Sequence, residues 1–144
     1  MPYFTCDTSV VISRKLSDLP DNFLFSGVVL LELLANAKDE SERKRYEAVH
    51  RAYSKDNSLI IPNVDDWLLA SKVLYWLTQE RRRRAGGKLT RLRPGATQKM
   101  VLDALIATSA RRRKATVITD NWDDFKAMQR YCNVRIVGGS EFFE

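Results

Sequence analysis

This chain carries one histidine, two cysteines and no apolar run long enough to span a bilayer, and each scarcity removes a class of function. His50 is the only imidazole, and it lies on a polar helix where a surface position is expected, so histidine general-base catalysis has no support. Cys6 and Cys132 stand far apart, without metal-ligand or redox spacing. That is the usage of a reducing compartment rather than a disulfide scaffold, and a cytoplasmic location is the expectation. The N-terminal MPYFTCDTSVV lacks a basic segment followed by an apolar one, and the longest apolar stretch, GVVLLELLA, is interrupted by Glu32. Neither an export signal nor a membrane span is expected. Glycine and proline are too sparse to form a linker or low-complexity tail, and no internal repeat is present. A chain of 144 residues fits one domain over 1–144. At that size it buries roughly 68 to 70% of its unfolded surface.

What the chain has in excess is positive charge, unevenly spread. Residues 81–114 hold 12 of the 24 Lys and Arg but only one of the 18 acids, Asp103. So lopsided a field suits an anionic polymer, because phosphates attract Lys/Arg clusters whatever the sequence.

Patterning predicts strands alternating with helices. YFTC reads as a buried strand ending at Asp7, FLFS at 23–26 as a second and LII at 59–61 as a third, closed by Pro62; TVIT and VRIV are the last two. GVVLLELLANA reads as an apolar helix, and DESERKRYEAVHRAYSKD as a charged surface helix with Asp39 and Glu42 spaced as a capping box. A long helix begins near Asn63, with Trp67, Leu74 and Leu77 on one face, and stops at Gly86-Gly87. Thr97 is placed to cap the next helix, which runs to about Lys114, and a short helix separates the last strands. Gly138-Gly139 reads as ordinary punctuation. This alternation predicts an α/β fold with a mainly parallel sheet of about five strands covered on both faces. Sites in such sheets form beyond the carboxyl ends of the strands, which puts Asp7 and the 120–124 acids at one edge.

Three single acids and one acidic turn are out of place or suggestively placed. Glu32 has Val28, Val29, Ala35 and Asn36 as its helical neighbours, none a cation. It must meet a positive charge from elsewhere or reach solvent in a cleft, since an unpaired buried carboxylate costs several kcal/mol. Asp103 interrupts MVLDALIATSA, and its bland reading is a surface pair with Lys99 worth about a few tenths of a kcal/mol. Asp7 has the alternative of simply ending a strand. In TDNWDDF, Asn121 can cap a helix and Asp123 and Asp124 can favour its dipole. If four carboxylates converge, each pair at about 5 Å repels by on the order of 3 kcal/mol. Either protons or a divalent cation must then offset the charge. An all-oxygen set without Cys or His suits Mg²⁺ or Mn²⁺, and such ions beside a basic rim point to phosphodiester hydrolysis.

In this order, CDTSVVI, SGVVLLELL, LDALIATSA and TDNWDDF resemble the four motifs of the PIN-domain ribonucleases, most closely VapC-type toxins of toxin–antitoxin pairs. The resemblance spans Tyr3 to about Val137. It implies a three-layer α/β/α fold, Mg²⁺-dependent (or Mn²⁺-dependent) endoribonuclease activity, homodimers and a small cognate antitoxin. By motif match, Asp7 and Asp103 would be the principal metal ligands, with Glu32 and Asp124 completing the catalytic pocket, and Thr8, Ser9, Thr119 and Asn121 would orient ligands and water. Asp120 stands where such toxins often carry a basic residue, which makes it an alternative fourth acid.

Arg81, Arg82, Arg83 and Arg84 end one helix, and Arg111, Arg112, Arg113 and Lys114 end another, where cations also suit the helix dipole. Their functional reading, with Arg91 and Arg93 in the flank between, is an RNA-backbone track leading to the acids. Trp67, Trp76 and Trp122 read as core or interface rather than stacking platforms. The resulting expectation is a metal-dependent endoribonuclease. Its rival is a catalytically silent module of the same fold that holds RNA or a protein through the basic tract, and a DNA-cleaving relative is a third outcome.

Overall fold

Every strand pairing among the described residues of the computed structural model is parallel, which follows from the insertion of a helix between successive strands. Residues 2–87 and 95–144 are described. Strand β1 (Tyr3–Cys6) leads into helix α1 (Thr8–Ser13), a 3-10 turn at Leu16–Asp18, β2 (Phe25–Ser26), α2 (Gly27–Ala35) and α3 (Glu40–Lys55). Then come β3 (Leu59–Ile60), α4 (Val64–Arg84), α5 (Ala96–Arg112), β4 (Ala115–Thr119), α6 (Trp122–Cys132), β5 (Ile136–Gly138) and α7 (Gly139–Phe142).

The expected five strands are present, as a three-stranded sheet β1-β4-β5 and a two-stranded sheet β2-β3. A single bridge, Phe4 to Phe23, joins them, and Leu24 N–H donates to Phe4 O at 2.7 Å. The lateral order is therefore β3-β2-β1-β4-β5, with helices on both faces in a three-layer α/β/α arrangement. Register pairs Cys6 with Ile118 and Thr119 with Gly138, so the carboxyl ends of β1, β4 and β5 share one edge. Strand β4 is buried nearly throughout, which is why ATVIT shows no polar alternation.

Helix α5 explains the lone acid in its sequence. Asp103 through Ala110 are eight consecutive buried residues, wedged against α4, α6, α2 and β4. The helix is enclosed all round at that depth, so Asp103 is carried into the interior by its neighbours' need for burial.

Several local expectations change. Thr97 does not cap α5; Gly95 does, at φ 83°, a left-handed conformation that glycine adopts without strain, and Thr97 lies in the first turn. The Asp39 side chain caps α3 by accepting from Glu42 N, but Glu42 returns to Lys38 N instead of closing the box on Asp39. At α4 the box is complete between Asn63 and Asp66. Trp67, Trp76 and Trp122 are not core residues: each is 40 to 55% exposed. Gly139 is more than punctuation, because it is buried against the Asp120 carboxylate, which a side chain there would strike. Cys6 and Cys132 are free and buried, and burial, helped at Cys6 by the neighbouring Asp7 charge, pushes both thiols above their ordinary range. Among the described residues, no helix is long and apolar enough to cross a membrane.

Candidate functional site

Asp7 is the first residue beyond β1, and its backbone N–H still donates to Ile118 O, so the sheet itself fixes the carboxylate at the shared edge. The side chain is 1% exposed. It caps α1 by accepting from Val10 N at 3.3 Å, and the Ser9 hydroxyl donates to the same oxygen at 3.0 Å. The Thr119 hydroxyl, at the end of the adjacent strand, donates to the other oxygen at 2.7 Å. Thr119 in turn accepts from Asn121 N at 2.9 Å, which ties the turn after β4 to the same network.

Glu32 projects from the middle of α2, half-buried, and accepts from the Thr8 hydroxyl at 2.7 Å. Of the two outcomes its sequence context allows, the structure shows the second, a carboxylate that reaches solvent in a cleft. Glu32 lines a groove of about 570 Å³ with Arg14, Lys15 and Arg45, none of which local spacing could associate with it. Asp103 enters from α5, 3% exposed. Lys99 Nζ stands 3.5 Å from its Oδ2, but that oxygen is buried and has no hydrogen-bond partner among the described residues. Burial pushes the Asp103 carboxyl up to about 7; Lys99 draws it back down, and the nearby charges of Asp7 and Glu32 push it up further. Acids from three distant segments thus lie close enough for the charges of Asp7 and Glu32 to act on Asp103.

The fourth acid stands apart. Asp124 is exposed in the first turn of α6, where it accepts from Asn121 Nδ2 at 2.8 Å. Asn121 therefore precedes the helix without capping it through its side chain. Asp124 lines a groove of about 350 Å³ with Lys99, Arg81, Arg84 and Arg130. Asp120 turns the other way, into a recess with Trp122, Gly139 and Glu141. Among the described residues, no three His, Cys, Asp or Glu side chains are drawn together tightly enough to ring a metal ion as they stand. The donor chemistry still fits a hard divalent cation: the candidate donor atoms are all oxygens, and one of them is a buried carboxylate oxygen with no partner among the described residues.

The structure divides the basic residues expected to form one track. Arg81 and Arg84 border the groove that contains Lys99 and Asp124, with Arg82 and Arg83 beside them in the last turn of α4. Helices α4 and α5 pack along each other, and Arg111 to Lys114 fall at the far end, where Arg111, Arg112 and Lys114 line a groove with Asp65, Asn133 and Arg135. There Arg112 is occupied: its Nε donates to buried Asp66 at 2.8 Å and its Nη2 to Ile61 O at 2.8 Å. Arg113 donates to Leu59 O at 3.5 Å and Asn57 O at 3.1 Å. Both tie the end of α5 to the β3 region. Arg91 and Arg93 lie outside the described residues. Sequence reasoning passed over Arg14, Lys15, Arg45 and Arg130, which carry no motif, and treated Lys99 only as a surface partner; the spacing of Lys99 from Asp103 was the available signal.

Comparison with known proteins identifies the family and the fold. Residues 5–131 match the PIN domain family. No curated protein matches the chain. Among solved structures, the chain resembles a DNA-bound VapBC from Salmonella typhimurium at 17% identity and TM-score 0.56, covering 96% of this chain and 99% of that one. VapBC-5 from Mycobacterium tuberculosis, a member of the VapBC family of toxin-antitoxin systems, is similar at 22% identity and TM-score 0.54, covering 96% and 99%. FitAcB from Neisseria gonorrhoeae is similar at 14% identity and TM-score 0.58, covering 95% and 98%. At these identities the likeness to the solved structures is one of fold.

Proposed function

Since this chain belongs to the PIN domain family, we propose that it is a divalent-metal-dependent endoribonuclease, the toxin of a toxin–antitoxin pair. The observation that supports this reading is a buried oxygen of Asp103 with no hydrogen-bond partner among the described residues, close enough to Asp7 and Glu32 for their charges to act on it. Burying that charge without a donor is costly, and structures keep such groups where they have a task.

Asp7 and Asp103 would hold Mg²⁺ or Mn²⁺, with Glu32 and Asp124 completing the set. Such an ion, when bound, acidifies water and offsets charge on a phosphoryl group. The chain's own residues prepare the site. Ser9, Val10 N–H and Thr119 fix both oxygens of Asp7, so its carboxylate is oriented in advance. Thr8 does the same for Glu32, and Asn121 for Asp124. Arg81 and Arg84 supply cations along the groove that reaches Asp124, where a sugar-phosphate backbone would lie. The VapBC likenesses support an antitoxin partner, and a homodimer, implied by the sequence resemblance, is part of the same proposal.

Purified protein is expected to cleave RNA with Mg²⁺ or Mn²⁺ and to stop in EDTA. Asp7→Ala and Asp103→Ala should each abolish cleavage while leaving the far-ultraviolet circular dichroism of the wild type. Equal cutting by either folded variant would reject the site.

A further inference from the structure

Donors are shared unequally among the three pocket acids. Asp7 receives Ser9, Val10 N–H and Thr119, and Glu32 receives Thr8. Asp103 Oδ2 receives no hydrogen bond among the described residues, and its nearest compensation is the Lys99 ammonium 3.5 Å away. The two side chains differ sharply in exposure, 53% for Lys99 against 4% for Asp103. Lys99 therefore reaches inward from solvent, one helical turn ahead of Asp103 on the same face. Its other side borders the groove of Arg81, Arg84 and Asp124. A lysine suits such a position, because its charge is compact and its stem flexible, whereas arginine would lock a carboxylate in a planar fork.

Building on the nuclease reading, we infer that Lys99 is the resident counter-ion of the acidic pocket: its ammonium stands where a divalent cation must approach Asp103. Displaced by that cation, it turns to the groove and joins Arg81 and Arg84 in holding an RNA phosphate. The same oxygen of Asp103 serves ammonium and metal in turn, so the two exclude each other. Loading the ion and creating an extra phosphate contact are then one event, and the metal-free protein carries a weaker hold on RNA.

The test is calorimetric titration of Mn²⁺ into metal-free protein without RNA, comparing wild type, Lys99→Met and Lys99→Arg, all checked for folding by circular dichroism. Lys99→Met removes the competitor and is expected to bind Mn²⁺ roughly three- to tenfold more tightly. Lys99→Arg keeps the charge but grips the carboxylate better, so it should bind the ion several-fold more weakly than wild type. With saturating ion, Lys99→Met should raise KM for RNA several-fold while kcat is retained. If Lys99→Met binds Mn²⁺ no better than wild type, or Lys99→Arg matches wild type, the displacement is wrong although the nuclease reading stands. If wild type shows no saturable Mn²⁺ binding that Asp103→Asn removes, the nuclease reading itself fails and this inference falls with it.

Discussion

The Thr119 hydroxyl donates to Asp7 Oδ2 at 2.7 Å, joining two residues 112 positions apart through the parallel pairing of β1 and β4. Thr119 is fully buried and also accepts from Asn121 N, so one hydroxyl both aims the acid and shapes the turn that carries Asp124. Thr119→Val keeps the volume and removes both roles. It should cost about 1 to 3 kcal/mol in denaturant unfolding. Metal-dependent cleavage should fall by about 10- to 100-fold, as for other residues that orient a ligand. Unchanged cleavage would show that Asp7 needs no orienting.

Asp103 makes the metal-free protein sensitive to pH. Its carboxyl sits near 7, above the ordinary carboxylate value, so the folded chain binds a proton that the unfolded chain has released. The stabilising contribution is full below the ordinary value and is lost as pH rises through about 7. From pH 4 to 8 this one group should remove roughly 2 to 4 kcal/mol of stability. Asp103→Asn should flatten that slope and raise the melting temperature in EDTA at pH 8, while eliminating cleavage. A wild-type melting temperature that climbs over this interval would contradict the assignment.

The two arginine runs should behave oppositely on mutation. Arg112→Ala strips the partner from buried Asp66; with Arg112 itself a third exposed, a loss of about 1 to 3 kcal/mol is expected, with KM for RNA within about twofold. Arg84→Ala should leave stability within about 0.5 kcal/mol and weaken RNA binding, with a shallower dependence on salt concentration. Unfolding curves and filter binding at two salt concentrations separate the cases.

The 120–124 segment offers a direct contrast. Asp124→Asn should reduce cleavage at least tenfold, because Asp124 shares the Lys99 groove, whereas Asp120→Asn should stay within about threefold, because Asp120 faces Gly139. A reversal of that ranking in single-turnover assays would make Asp120 the fourth acid.

The sequence announced most elements, since α4 is bounded by Asn63 and Gly86-Gly87 and the strand around Val117 is a compact β-branched run between turn residues. Helices α1 and α7 escaped because six and four residues are too few to show a period, and Val10 and Val11 read equally well as a strand. Glu32 and Asp103 were visible because each breaks an apolar run. The Asp66–Arg112 pair was not, for its members lie 46 positions apart and meet only when α4 and α5 pack. The same packing put Arg111–Lys114 at the opposite end from Arg81 and Arg84, a separation that helix direction sets and composition cannot express.

Cys6 immediately precedes Asp7 in the chain, sealed at 1% exposure with its thiol held in the protonated, unreactive form. Alkylating reagents should therefore pass over it until β1 leaves the sheet. The rate at which iodoacetamide modifies that sulfur then becomes a clock for opening of the sheet edge that carries Asp7, readable by mass spectrometry with no nucleic acid in the tube.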